Sequence, residues 1–290
     1  MFRHFLAGLL ISVGATLPAQ PAAPIGQPLR LVLGVNDVFC KDTACECVHH
    51  TASRQYGDFL ARLQERYGIA LELVYFAEPY DLEKAVLAGR FDGAICKPWL
   101  LLRHQEGRGR DLRRIADLKD TLGNAMLWGT MLVLRDSPIR DLREAASGRL
   151  ALGEADSYEK NQAVFALLRR EGVDFPAERR LERASCLECL DLLLKGEVGA
   201  AVISNYALVA DCAVDVAKPS QFRTIAETAK IPLTSVMIDS RRVPEGDMAR
   251  LQRALLELSR TSLPASMHGG GFIEPQPWQP PELPGSTSLP

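Results

Sequence analysis

The chain runs through one cycle of strands and helices, and then through it again, with a long apolar strand after each cycle. In the first, Leu29 to Val35 (LRLVLGV) is a short β-rich run, and Ser53 to Arg66 carries Tyr56, Phe59, Leu60 and Leu63 at helical spacing. Ala70 to Phe76 alternates with period two, Asp81 to Ala88 is amphipathic and stops at Gly89, and Phe91 to Ile95 is a short buried strand. Met126 to Leu134 (MLWGTMLVL) then reads as one long strand. After the break at Asp136-Ser137-Pro138 the cycle restarts: strand Leu150 to Leu152, helix Lys160 to Arg170, strand Arg179 to Glu182, helix Leu187 to Leu194, strand Gly199 to Ile203. Ile231 to Ile238 is a second long strand, and Glu245 to Ser259 is a helix with Met248, Leu251, Leu255 and Leu258 on one side.

Two βαβαβ halves separated by long strands predict an α/β protein of two Rossmann-like lobes, with the chain crossing near Leu127 to Leu134 and returning near Thr224 to Ser235. The first lobe is then discontinuous, residues 29–129 and 227–273, and the second is residues 130–226. In a parallel sheet, ligands sit beyond the carboxyl ends of the strands. Two facing lobes bring both sets of loops to one cleft, a clamp able to close on a small solute.

The ends of the chain speak to compartment. Met1-Phe2-Arg3-His4, the apolar run Phe5 to Thr16 and the small residue in Leu17-Pro18-Ala19 form the three-part pattern of a secretory signal, residues 1–19. The run is too short to span a bilayer, which takes about 20 residues. No cysteine follows it closely, so a lipid-anchored start is not expected, and the mature protein is expected to be periplasmic without membrane insertion. Prolines make residues 20–28 an extended leader and residues 274–290 an unfolded tail. With 34 basic against 36 acidic residues, the net charge of -2 gives no basis for nucleic-acid binding.

The motifs Tyr80-Asp81-Leu82-Glu83-Lys84-Ala85 leading to Gly89-Arg90-Phe91-Asp92-Gly93-Ala94, Leu132-Val133-Leu134-Arg135-Asp136-Ser137-Pro138-Ile139, Gly153-Glu154-Ala155-Asp156-Ser157 and Leu192 to Ile203 are familiar as a set. Across Leu29 to Leu258 the chain resembles the periplasmic solute-binding proteins of phosphate, phosphite and phosphonate ABC transporters. The resemblance implies the type II periplasmic binding protein fold with its two crossover strands, a role in binding rather than catalysis, and a small-molecule or ion ligand. It also implies an ABC permease or sensor kinase as partner and a monomeric state. In that family the first loop of the second lobe usually reads Asp-x-Ser-Thr-Ser-Gly, whose hydroxyls and helix N-terminal amides hold the phosphonate. Here the aligned stretch is Asp156-Ser157-Tyr158-Glu159-Lys160-Asn161, with a carboxylate where the anion would sit. Where relatives often carry a histidine near the next cleft loop, this chain has Ser185-Cys186.

Candidate ligand contacts in the first lobe are Asn36, Asp37, Tyr80, Cys96 and Trp99. Those in the second are Asp156, Ser157, Tyr158, Lys160, Ser185, Cys186 and Tyr206. Asn36 and Asp37 can equally cap the next segment, and Trp99 and Tyr206 can equally be core.

Seven cysteines are the unusual count. By the strand-end rule Cys40, Cys45, Cys47, Cys96, Cys186 and Cys189 face the cleft, and His49 and His50 follow Cys47 at once. Thiolate with imidazole suits copper(I) or zinc, and a thiol cluster also captures arsenite; arsenite sensors in the same family give a precedent by resemblance. In an oxidising compartment the same cysteines form loop-pinning disulfides. A third reading is a thiol/disulfide oxidoreductase using Cys186-x-x-Cys189 at a helix N-terminus, and a fourth a periplasmic metal carrier using the Cys/His loop.

Overall fold

The computed structural model describes residues 28–44, 48, 52–103, 109–155, 157–209 and 216–280. Three sheets organise them. The first lobe begins with β1 (Leu29–Val35), α1 (Gly57–Tyr67), β2 (Ile69–Tyr75), α2 (Pro79–Leu87), β3 (Gly93–Cys96), α3 (Pro98–Leu102) and β4 (Leu112–Leu118). β5 (Met126–Leu127) leads into the second lobe: β6 (Gly129–Leu134), α4 (Leu142–Ala146), β7 (Leu150–Gly153), α5 (Gln162–Arg170), β8 (Arg180–Arg183), α6 (Cys186–Leu194), β9 (Ala200–Ser204) and β10 (Phe222–Glu227). β11 (Ile231–Pro232) leads back to β12 (Thr234–Asp239), α7 (Glu245–Thr261) and β13 (Phe272–Ile273).

The first lobe's sheet has the order β13-β4-β12-β3-β1-β2, and the second lobe's the order β10-β6-β9-β7-β8. β1 lies parallel between β2 and β3, as β7 lies parallel between β8 and β9. The strands that enter from the other lobe, β6 and β12, run antiparallel to β9 and β3. Alternating chemistry explains the rest: Phe59 and Leu63 of α1 and Met248, Leu251 and Leu255 of α7 bury their apolar stripes with Leu31, Leu33 and Val236.

The two long strands expected from sequence are each interrupted. Trp128 separates β5 from β6 because Asn205 takes its backbone, its side-chain oxygen accepting from Trp128 N and its own N–H donating to Trp128 O. Leu233 separates β11 from β12 by donating to Ala125 O. β5 and β11 pair with each other as a two-stranded ribbon, Leu127 opposite Ile231 and Met126 opposite Pro232, and that ribbon is the passage between lobes. A largely apolar run cannot reveal such a change of partner, since the apolar pattern continues on both sides of it.

The tail also differs from expectation as far as Pro280. Just beyond β13, Gln276 N donates to the Asp117 carboxylate at 2.7 Å, and Trp278 lies under the Arg114 guanidinium. An aromatic anchor and a main-chain donor to a buried carboxylate outweigh the proline content there. The signal and leader segments lie outside the described residues. Among the described residues no helix is long and apolar enough to cross a membrane.

The irregular segment after β1 is held by a buried ion pair. Asp37 and Arg54, 0% and 1% exposed, meet at 2.6 Å, and Tyr56 donates its hydroxyl to the same Asp37 oxygen at 2.8 Å. Arg54 also donates to Lys119 O, tying the segment to the end of β4. Removing one partner of a buried pair strands the other charge, at a cost of about 3–5 kcal/mol. Arg54→Met should therefore lower the stability measured by urea denaturation by about that amount, whereas a loss under about 1 kcal/mol would show the pair to be dispensable.

Candidate functional site

A cavity of about 330 Å³ lies between the lobes. Its first-lobe wall comes from the loops after three parallel strands: Asn36, Val38, Thr43 and Ala44 after β1; Ala77, Glu78 and Pro79 after β2; Lys97, Trp99 and Leu100 after β3. The opposite wall comes from the corresponding loops of the second lobe: Glu154, Ser157, Glu159 and Lys160 after β7, Ala184 and Ser185 after β8, Tyr206 after β9. Each contributor thus sits at the carboxyl end of a parallel strand.

The lobes touch around this cavity. Trp99 stacks on Tyr158 with centroids 4.9 Å apart, and Phe39 meets Tyr206 edge-on at 5.4 Å. Arg103, paired with Glu83 at 3.3 Å, covers the outer face of Trp99 at 3.9 Å. Val38, Phe39 and Trp99 belong to the same apolar cluster as Tyr158, Leu190, Ile203 and Tyr206, so one core is shared by both lobes.

The polar centre of the cleft is Glu159. Its carboxylate is fully buried, 3.3 Å from the Lys97 ammonium of the other lobe, and accepts the Ser204 hydroxyl at 2.8 Å on the same oxygen, Oε1. Oε2 is buried without a hydrogen-bond partner. Burial opposes ionisation, but the charges of Lys97 and Lys160 and the Ser204 hydroxyl outweigh it and hold the carboxyl below its ordinary 4.5. The loop's course requires two glycines: a Cβ on Gly129 would collide with Glu159 O, and one on Gly153 would stand 2.7 Å and 2.8 Å from the Lys160 side chain.

A family model described as ABC transporter, phosphonate, periplasmic substrate-binding protein matches residues 49–277, well over half of the chain. The chain belongs to that family. As a phosphonate-type binding protein it is a solute-binding component of transport rather than a catalyst, and the family's location is periplasmic. XAC2383 from Xanthomonas citri, in a structure bound to ATP, superposes with a TM-score of 0.64 at 20% identity, over 86% of this chain and 92% of that one. PhnD1 from Prochlorococcus marinus, in complex with methylphosphonate, gives 0.58 at 12% identity over 86% and 94%. The binding-protein component of a phosphonate ABC transporter from Pseudomonas aeruginosa gives 0.56 at 14% over 83% and 77%. These likenesses establish the type II periplasmic binding protein fold. No curated protein matches the chain.

The binding protein brings Asn36, Trp99, Ser157, Lys160, Ser185 and Tyr206 to the cavity. Asn36 spends its amide on Phe76 O and Ala77 O, which ties the β1 and β2 loops together. Ser185 caps α6 by accepting from Glu188 N, with Glu188 reaching back to Ser185 N. Tyr158 stands behind the wall, stacked on Trp99, Asp37 is consumed by Arg54, and Tyr80 is 43% exposed outside the cavity lining. Asp156, Cys45, Cys47, His49, His50 and Cys212 lie outside the described residues.

The expectation that Cys40, Cys96, Cys186 and Cys189 face the cleft is corrected. All four are buried thiols packed in apolar clusters, and none lines the cavity. The strand-end rule places loops, not side chains: Cys96 is the last residue of β3 and points into the core, and the Cys186 sulfur is covered beside Ser204. Among the described residues no group of three histidine, cysteine or carboxylate side chains could hold a metal, and no disulfide forms. Burial pushes the Cys40 thiol up to about 11 and the Cys189 thiol up to about 12, and raises Cys96 as well. That is opposite to the lowered value a thiol oxidoreductase needs.

The cavity-lining residues absent from the candidates read from sequence include the polar Thr43, Glu78, Lys97, Glu154 and Glu159. Lys97 was within reach of the strand-end rule, one residue beyond Cys96.

Two measurements follow from these shifts. Native protein treated with iodoacetamide and read by peptide mass spectrometry should carry no label on Cys40, Cys96, Cys186 or Cys189 until it is unfolded; rapid native labelling of Cys189 would contradict its burial. Because the folded pKa of Glu159 lies below its unfolded value, its stabilisation is complete above 4.5 and lost as pH falls through the folded value. The melting temperature should thus fall more steeply below pH 4.5 than in Glu159→Gln, and parallel curves would remove Glu159 from the acid response.

Proposed function

We propose that this binding protein, exported by its N-terminal segment, closes its lobes on a small amine-bearing zwitterion and hands it to the permease of an ABC transporter. The observation that carries the ligand class is the charge of the cavity: Lys97 and Lys160 stand against Glu78, Glu154 and Glu159, two ammonium groups against three carboxylates. A free phosphonate dianion meets a surplus of its own sign there, and removing a charge from water without a partner is costly. A zwitterion brings its own cation. Its amine can answer a carboxylate while its anionic end draws on the lysines, and its apolar linker lies on Trp99 and Leu100. The volume of about 330 Å³ limits the solute to a small molecule.

Calorimetric titration with 2-aminoethylphosphonate and methylphosphonate tests this, together with Ala77→Trp, which fills the cavity. The amine-bearing compound should bind at least ~10-fold tighter, a difference of about 1.4 kcal/mol, and Ala77→Trp should abolish its binding. Equal affinity for both compounds, or binding indifferent to Ala77→Trp, would overturn the reading.

A further inference from the structure

The proline-rich segment beyond β13 is fastened at its root to the first lobe. Phe272 and Ile273 pair with Leu118 and Asp117 of β4, Phe272 N donates to the Ser259 hydroxyl of α7, and the Phe272 ring meets Phe59 of α1 at 5.2 Å. Glu274-Pro275-Gln276-Pro277-Trp278 follows. Each proline fixes its own φ and lacks an N–H, so the arm is stiff, and from Pro275 to Pro277 its only main-chain donor is Gln276 N. Both main-chain groups of Gln276 are engaged: N donates to the Asp117 carboxylate at 2.7 Å, and O accepts from Arg114 at 3.2 Å. Asp117 is fully buried and also accepts from Arg114 and from the Ser235 hydroxyl, each at 2.6 Å.

This knot of hydrogen bonds lies beside the passage between the lobes. Ser235 is two residues beyond Leu233, whose N–H donates to Ala125 O where the ribbon gives way to β12. Trp278, at the end of the arm, has the Arg114 guanidinium over its ring at 5.4 Å and packs against the apolar cluster that both lobes share. That cluster includes Leu127, Ile231 and Leu233 of the passage, beside Phe39 and Trp99 of the first lobe and Tyr158 and Tyr206 of the second. An arm rooted in one lobe thus ends on the apolar surface where the two meet. The passage has need of such support, because β5 and β11 pair over only two residues each, and a two-stranded ribbon is marginally stable by itself.

We propose that residues 274–278 are a strap that restrains the passage between the lobes, with Trp278 as its positioning residue. The strap acts whatever solute the cleft takes. Moving the lobes apart bends the ribbon beneath Trp278, so either the indole leaves the apolar cluster or the arm gives way. Apolar burial of a large aromatic opposes the first, and the fixed backbone of Pro275 and Pro277 opposes the second. The strap therefore biases the protein toward the arrangement in which the two lobes meet.

The experiment compares wild type, Trp278→Ala, Trp278→Phe and Pro275→Ala/Pro277→Ala by hydrogen exchange, read residue by residue with NMR, and by X-ray scattering of the same samples. The reporters are the amides of Leu233, Thr228 and Asn205, which donate to Ala125 O, Gly129 O and Trp128 O at the passage. Trp278→Ala should speed their exchange at least ~10-fold and leave the amides of β1 and β7 unchanged, because exchange separates local opening from global unfolding. Its radius of gyration should exceed that of wild type. Trp278→Phe keeps an aromatic ring and should restore most of the protection, and the proline variant, which keeps Trp278, should speed the same three amides. Wild-type exchange at the reporters in Trp278→Ala or in the proline variant overturns the proposal. Equal acceleration at β1 and β7 overturns it too, by assigning Trp278 to overall stability alone. Faster exchange with an unchanged radius of gyration would confine the effect to the ribbon and overturn the restraint on the lobes. If Trp278→Ala does not fold, the proline variant decides: faster exchange at the three reporters supports the strap, and wild-type rates overturn it.

Discussion

The Glu159 carboxylate is the charge around which the two lobes meet. Taking it out of water is paid back only if its partners are in place, and they come from several elements: Lys97 beyond β3, Ser204 at the end of β9, Lys160 from its own loop. Its backbone is fixed as well, because Glu159 O lies against Gly129 and accepts from Thr228, one residue at the start of β6 and the other just after β10. Both positions flank the interlobe ribbon. The same loop thus touches the passage between the lobes on one side and the cavity on the other.

Asp37 and Arg54 solve the equivalent problem within the first lobe. The described residues between Asn36 and Tyr56 form no helix or strand of the sheets, yet they supply Val38, Thr43 and Ala44 to the cavity and Phe39 to the contact with Tyr206. A loop with few ladder hydrogen bonds needs another source of rigidity. Here it is a carboxylate that accepts from Arg54, Tyr56 and the Phe39 amide, and a backbone at Asp37 that exchanges two hydrogen bonds with the Thr43 hydroxyl. The candidate role of Asp37 as a ligand contact was misplaced for this reason: a buried carboxylate is spoken for by the nearest buried cation, and Arg54 is distant enough in sequence to leave no local signal.

What could be read from the residues was whatever depends on periodicity. The helices at Gly57–Tyr67 and Glu245–Thr261 and the strand at Leu29–Val35 follow from apolar spacing alone, and the repetition of the cycle was enough to reach the two-lobed α/β fold. β4 escaped because Leu112-Arg113-Arg114-Ile115 shows no alternation of apolar and polar residues; Arg114 is neutralised by Asp117 at 2.6 Å and lies on the Trp278 face, contacts that no local pattern displays. The cysteines misled for a related reason. A loop's position follows from topology, whereas the direction of one side chain at a strand end follows from the pleat, and Cys96 falls on the inward side. Loops after strands were legible; which of their atoms reach the cleft was not.

The contacts across the gap bear on how such a clamp responds to a solute. Trp99 on Tyr158, Phe39 on Tyr206 and Lys97 on Glu159 join the lobes, so contacts within the protein contribute to the stability of this arrangement. A ligand can move the opening equilibrium only by its difference in affinity for the two arrangements. When closure is partly built in, less of the binding energy goes into bringing the lobes together and more of it appears as affinity, since the competent state is already populated. The aromatic pairs supply this without regard to charge. The ion pair does not, because a solute that competes for Lys97 weakens an interlobe contact in the act of binding. The Glu159 carboxylate thus links the charge of the cavity to the contact between the lobes: a solute that leaves the Lys97 to Glu159 pair intact keeps that bridge, and one that breaks it must itself take over the bridging.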